Sequence, residues 1–160
     1  MPNKLTILLC STLLAGCETA AMRDPGSPFF VIPAGTVLEL KQALDVPPGQ
    51  AHVKFQHGAV TGSFDDFTVG CRLNVKNLGP MTLQPERFSV TRAEVDERWE
   101  IYPTLKAFYR ILYLHSAQQP EVQSLRCRYQ TGGLEGRDIS VPQIREALGN
   151  YFSLDIPQPQ

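Results

Sequence analysis

The chain has 160 residues, with 15 Lys/Arg against 16 Asp/Glu and a net charge of −1. That balance leaves no electrostatic footprint for nucleic acid and no polybasic segment for an anionic membrane surface. With 42% hydrophobic residues, the length suits one domain whose core folds without relying on staples.

Residues 1–16 have the three parts of a secretory leader. Lys4 and the chain amino group form a short positive region, and no acidic residue precedes Glu18. Residues 5–14 are an apolar run containing Ile7, Leu8, Leu9 and Leu13, followed by the small Ala15 and Gly16. The run is shorter than the ~20 apolar residues of a membrane-spanning helix. Leu14-Ala15-Gly16-Cys17 resembles the lipobox of bacterial lipoprotein precursors. The resemblance implies signal-peptidase cleavage between Gly16 and Cys17 and a diacylglyceryl group, with chains such as palmitate, on the Cys17 thiol. One acyl chain binds a bilayer marginally, at about 0.8 kcal/mol per buried methylene, whereas two or three hold stably. The partner so implied is a membrane of the cell envelope. Glu18, where an aspartate would favour inner-membrane retention, implies the outer membrane, with the domain facing the periplasm. The alternative is a buried first element with a chance cysteine.

Of the four cysteines, Cys10 would leave with the leader and Cys17 would carry lipid. Cys71 and Cys127 remain, and in an oxidising compartment they most simply pair as a disulfide. Two reduced buried thiols are the alternative.

Residues 17–28 read as the lipidated cysteine and a flexible tether, closed by Asp24-Pro25-Gly26-Ser27-Pro28, which cannot continue a helix. Beyond it, over 29–156, the hydrophobic period is two. Within 37–46, Leu38, Leu40, Leu44 and Val46 share a face, with Gln42 the exception. Ala51, Val53 and Phe55 alternate with His52, Lys54 and Gln56. Over 67–76, Phe67, Val69, Cys71, Leu73 and Val75 alternate with polar residues, as do Leu125, Cys127 and Tyr129 further on. These patterns predict half-buried antiparallel strands, with both cysteines inward, as a core-crossing bridge requires. Phe88 and Val90 mark another strand. Residues 108–114, apolar on both faces apart from Arg110, predict a central one. Ser140, Pro142, the spacing of Ile144, Ala147 and Leu148, and Gly149 as a left-handed stop predict one helix. Residues 157–160 should fray.

The expected fold is mainly β: an antiparallel β-sandwich of about seven strands with one C-terminal α-helix, a partly open β-barrel being the alternative. The body's Pro-x-Gly-strand pattern resembles small β-rich envelope lipoproteins of unassigned role.

No nucleophile elbow, phosphate-binding glycine loop or zinc-protease motif occurs, so no catalytic residue, metal ligand or cofactor is predicted. His52 and His57 are five apart and fall on opposite faces if they share one strand. His115 stands apart from them, and the adjacent Asp65 and Asp66 suit a strand end better than an acid/base pair. Two surfaces stand out. With Cys71 and Cys127 inward, Arg72, Arg126 and Arg128 point outward. If their strands are neighbours they form, with Lys76, a basic strip suited to phosphate or carboxylate on a lipid, a glycan or an envelope protein. The acidic stretch 94–102 holds Trp99, the only tryptophan, and Tyr102. Trp99 reads first as a core or edge-covering residue and second as an interface anchor. The expected function is a lipid-anchored binding or assembly module. A small-ligand carrier is the alternative, and an envelope hydrolase comes third.

Overall fold

The computed structural model describes residues 20–133 and 136–157; the lipobox, Cys17 and residues 158–160 lie outside the described residues. A short helix α1 (Ala20–Arg23) leads into strands β1 (Val37–Leu40), β2 (Leu44–Val46), β3 (His52–Gln56), β4 (Ala59–Thr61) and β5 (Gly70–Val75). Then come β6 (Met81–Leu83), β7 (Glu86–Ile101), β8 (Leu105–His115), β9 (Val122–Gly132), helix α2 (Val141–Leu148) and β10 (Phe152–Asp155).

The fold is mainly β and antiparallel with one C-terminal helix. Its main sheet has eight strands in the order β10-β1-β7-β8-β9-β5-β3-β4, and a small second sheet pairs β2 with β6. The large sheet curls into a half-barrel, closer to the open-barrel alternative than to two facing sheets. Its inner face carries Leu38, Phe55, Leu73, Phe88, Leu112 and Leu125, each fully buried. Helix α2 closes this face with Val141, Ile144, Ala147 and Leu148. Ser140 caps it: Gln143 Oε1 accepts the Ser140 backbone N–H at 2.9 Å, satisfying a donor the first turn leaves open. Phe55 then packs edge-on against Tyr151 and Phe152, with ring centroids 5.5 Å apart in each case.

Several sequence expectations change. The stretch 37–46 is two strands in different sheets. The exposed Gln42 interrupts the buried alternation, and Lys41 N–H donates to Tyr151 O at 2.9 Å instead of to a neighbouring strand. The strand expected from Phe67 begins at Gly70, because Asp65 holds residues 65–68 in a turn: Phe67 N–H and Thr68 O–H both donate to its carboxylate. The stretch 94–102 largely belongs to the outer half of the 16-residue β7. The segment read as a tether meets the domain at Pro25, whose carbonyl accepts Val141 N–H at 3.3 Å.

The disulfide Cys71–Cys127 is formed, with an S–S distance of 2.04 Å. It does not cross the core. Cys71 and Cys127 are direct cross-strand partners on adjacent β5 and β9, so the bridge staples two neighbouring strands on their buried face.

Gly149 ends the helix with φ 55° and ψ −137°, a positive φ outside the left-handed helical region expected from sequence. An added Cβ there would lie 2.5 Å from Gly58 Cα. Strain and clash together should make Gly149→Ala cost about 1–3 kcal/mol or more, read as a lower urea midpoint with an unchanged slope.

Candidate functional site

The outer face of the large sheet is polar, and strand register decides which charges meet there. Residues paired across an antiparallel ladder share a face. Lys54 on β3 is opposite Arg72 on β5, Arg72 is opposite Arg126 on β9, and Arg126 is opposite Ile111 on β8. Three cations therefore stand side by side on consecutive strands, along a line of about 10 Å at ~4.8 Å per strand. Arg128 sits two residues along β9, opposite Gly70 on one side and Tyr109 on the other.

Gly70 leaves room for an aromatic wall. Its missing Cβ would fall 2.6 Å from Phe64 Cδ1, so the Phe64 ring occupies that space. Buried Gln56 fixes the loop carrying Phe64, donating to Asp65 O at 2.8 Å and Thr68 O at 3.1 Å while accepting Asp65 N–H at 2.9 Å. The result is a groove of about 280 Å³ lined by Lys54, Phe64, Arg72, Tyr109, Arg126 and Arg128. Past Arg72 and Arg126 it opens into a shallower one of about 460 Å³ that reaches His52, Asn74 and Tyr113.

The cations in this groove are poorly neutralised. Among the described residues, no carboxylate lies within ion-pair distance of Lys54, Arg72 or Arg126, and Arg128 has only Asp66, at 3.5 Å. Glu94 and Asp96 are on the same face of β7 but are occupied locally, by Arg92 at 2.9 Å and Arg98 at 2.7 Å. Lys54 donates to Gly62 O at 3.2 Å. The Arg126 guanidinium lies 4.4 Å from the centroid of the Tyr109 ring, Arg128 stands 5.8 Å from it, and the Tyr109 hydroxyl donates to Glu100 at 3.0 Å. Nε of both Arg126 and Arg128 is buried without a hydrogen-bond partner. The crowding registers in the titration of the groove's own groups. Burial, then the charges of Arg126 and Arg128, pulls the Arg72 pKa below its ordinary value, although an arginine stays cationic. Burial, then Arg72 and Lys54, lowers His52. Burial and the bond to Glu100 raise Tyr109. A row of half-buried guanidiniums beside an aromatic floor suits an incoming phosphate or carboxylate, which arginine holds bidentately.

Of the residues expected in the strip, Arg72, Arg126 and Arg128 come together. Lys76 does not: it follows a bulge at the end of β5, is exposed, and its N–H donates to Glu121 O at 2.8 Å. Lys54, Phe64 and Tyr109 are the residues that sequence reasoning missed. Trp99 and Tyr102 lie elsewhere, at the β7–β8 tip, with ring centroids 5.3 Å apart. Trp99 is not a core residue, being 40% exposed, and Tyr102 is 77% exposed. Asp65 caps its turn and His57 sits past β3 with φ 53°. Among the described residues, no group of three or more His, Cys, Asp or Glu is placed to hold a metal ion.

Comparison with protein-family models, with curated proteins and with solved structures found no match.

Proposed function

We propose that this protein is a lipid-anchored binding module of the cell envelope, whose β domain takes an anionic group of an envelope partner into the Lys54–Arg72–Arg126 row. The observation that carries this reading is that row: three cations in register, with Arg128 beside them, and, among the described residues, no carboxylate within ion-pair distance of Arg72 or Arg126. Like charges placed directly opposite destabilise a sheet, so their persistence makes sense if an anion completes the site. The disulfide is consistent with an oxidising compartment, and the lipobox at Cys17 supplies the anchor. The carrier reading has less support. A carrier for a lipid or glycan would need a sizeable apolar cavity beneath the helix, and the cavity against α2, lined by His57, Val69 and Glu146 among others, is about 70 Å³, too small for a lipid chain.

The test uses inorganic phosphate against sodium chloride at matched ionic strength. Phosphate at ~100-fold its Kd should stabilise the folded chain by about 2.7 kcal/mol, and Arg126→Gln should abolish the effect. An equal shift by both salts would sink the anion site. Separately, Cys17→Ser should release the protein from the membrane fraction.

A further inference from the structure

We infer that the segment around Phe29 and Val31, together with the outer half of β7, is a docking face for a lipid bilayer. This inference rests on the lipidation of Cys17 proposed above. Phe30 and Ile32 are buried, whereas Phe29 and Val31 between and before them are 64% and 62% exposed. The segment leaves a turn in which Phe30 N–H donates to Ser27 O at 3.2 Å, and its alternating burial anchors one set of side chains and offers the other, which is apolar. It is held firmly. Arg110 is itself buried and donates to Phe30 O at 2.7 Å and Pro28 O at 3.0 Å.

Arg110 also places the segment on a defined side of the sheet. Val95 is paired with Arg110 and Trp99 with Lys106, so all four share the face opposite Asp96, Glu94 and the cationic row. Met22, Phe29, Val31 and Val95 line a mostly apolar groove of about 320 Å³, to which Arg110 and Asp138 also contribute. Along β7 the same face leads past Glu97, which pairs with Lys106 at 2.8 Å, to Trp99, and Ile101 and Tyr102 lie at the hairpin tip, 60% and 77% exposed. Tryptophan and tyrosine beside a lysine suit the level of lipid headgroups, where one end of the side chain is apolar and the other wet; Lys106 Nζ stands 5.5 Å from the Trp99 ring centroid.

The position of the anchor selects the bilayer as occupant. Cys17 precedes Met22 by five residues, a span of at most about 18 Å even when fully extended. A lipid on Cys17 therefore keeps this patch at the membrane surface, where burying it removes apolar area from water. The cationic row, on the other face of the same sheet, is then turned away from that bilayer, toward anions carried by a separate partner.

Trp99 is the only tryptophan, so its fluorescence reports on the patch alone. The full chain, purified from membranes, would be reconstituted in phosphatidylcholine vesicles whose acyl chains are brominated near the headgroup, with the N-terminal peptide weighed on the same sample. The expected result is at least a twofold loss of emission in brominated vesicles and protection from iodide. Phe29→Asp with Val31→Asp should reverse both while the chain stays on the vesicles and keeps its melting temperature. A lipidated chain whose emission is the same in both kinds of vesicle would overturn the docking face. Protection from iodide without bromine quenching would do so as well, and would point to a second copy on the patch. If Cys17 proves unmodified, the anchor reading fails separately. Quenching of that chain by added brominated vesicles would still support the docking face, and its absence would overturn it.

Discussion

Arg72→Gln is expected to stabilise the ligand-free domain and, in the same variant, to remove most of its affinity for phosphate. Arg72 stands between Lys54 and Arg126, opposite one on each side, and its pKa is lowered by burial first and by neighbouring arginines next. Each like-charge cross-strand contact costs roughly 0.2–1 kcal/mol, so removing the central charge should return about 1 kcal/mol. For a domain of this size that is a rise in melting temperature of roughly 2–6 °C. Glutamine keeps much of the aliphatic stem and two donors, so lost packing should not mask the gain. Binding should move the other way. A charge-assisted hydrogen bond contributes about 1.5–3 kcal/mol, and its loss corresponds to roughly a 10- to 150-fold weaker Kd. Opposite signs in a melt and a phosphate titration are what distinguish a functional charge cluster from a structural one. A variant that loses stability and leaves phosphate affinity intact would mean that Arg72 serves the sheet and not a ligand.

The parts of this arrangement that a sequence carries are those set by period alone. Cys71, Leu73 and Val75 against Arg72 and Asn74 give the face of β5 directly, and the same holds for Leu125, Cys127 and their neighbours on β9. Which strands are neighbours is a different kind of information. Lys54 was legible as an outward residue, yet nothing in its own stretch says that it lies opposite Arg72. Tyr109 was obscured because β8 is apolar on both faces, its outer side lying over a floor of half-buried arginine stems. Phe64 is in a loop, and only Gly70, with no side chain of its own, marks the space its ring fills. The outer half of β7 failed for the opposite reason. Glu94, Asp96, Arg98 and Glu100 alternate with Val95, Glu97, Trp99 and Ile101, so charge occupies both faces and the hydrophobic period fades just where the strand leaves the core. Lys76 was misplaced by a single irregularity: the bulge between Asn74 and Val75 shifts the end of the strand out of the ladder.

Replacing both members of the bridge, Cys71→Ala with Cys127→Ala, should have the largest effect on stability. Oxidised, the pair closes residues 71–127 into one loop, and restricting so long a segment of the unfolded chain accounts for about 4 kcal/mol. A small domain has only about 5–15 kcal/mol in all. At a urea slope of about 2 kcal/mol per molar, the midpoint should fall by roughly 2 M. Cys71 and Cys127 are 0% and 1% exposed, so a reductant added to the folded protein should act slowly and only as the chain opens. The bridge also bears on the site. Cys71–Cys127 is the ladder position immediately beside Arg72–Arg126, so it clamps β5 to β9 next to the point where two cations repel. Without it those strands are free to separate locally, and the groove loses part of the fixed spacing that makes anion binding inexpensive in entropy. Phosphate affinity, measured at a temperature where the double variant is still folded, should therefore fall although no groove side chain has changed. Unaltered affinity would assign the spacing of the arginines to the backbone ladder alone and leave the bridge a purely thermodynamic role.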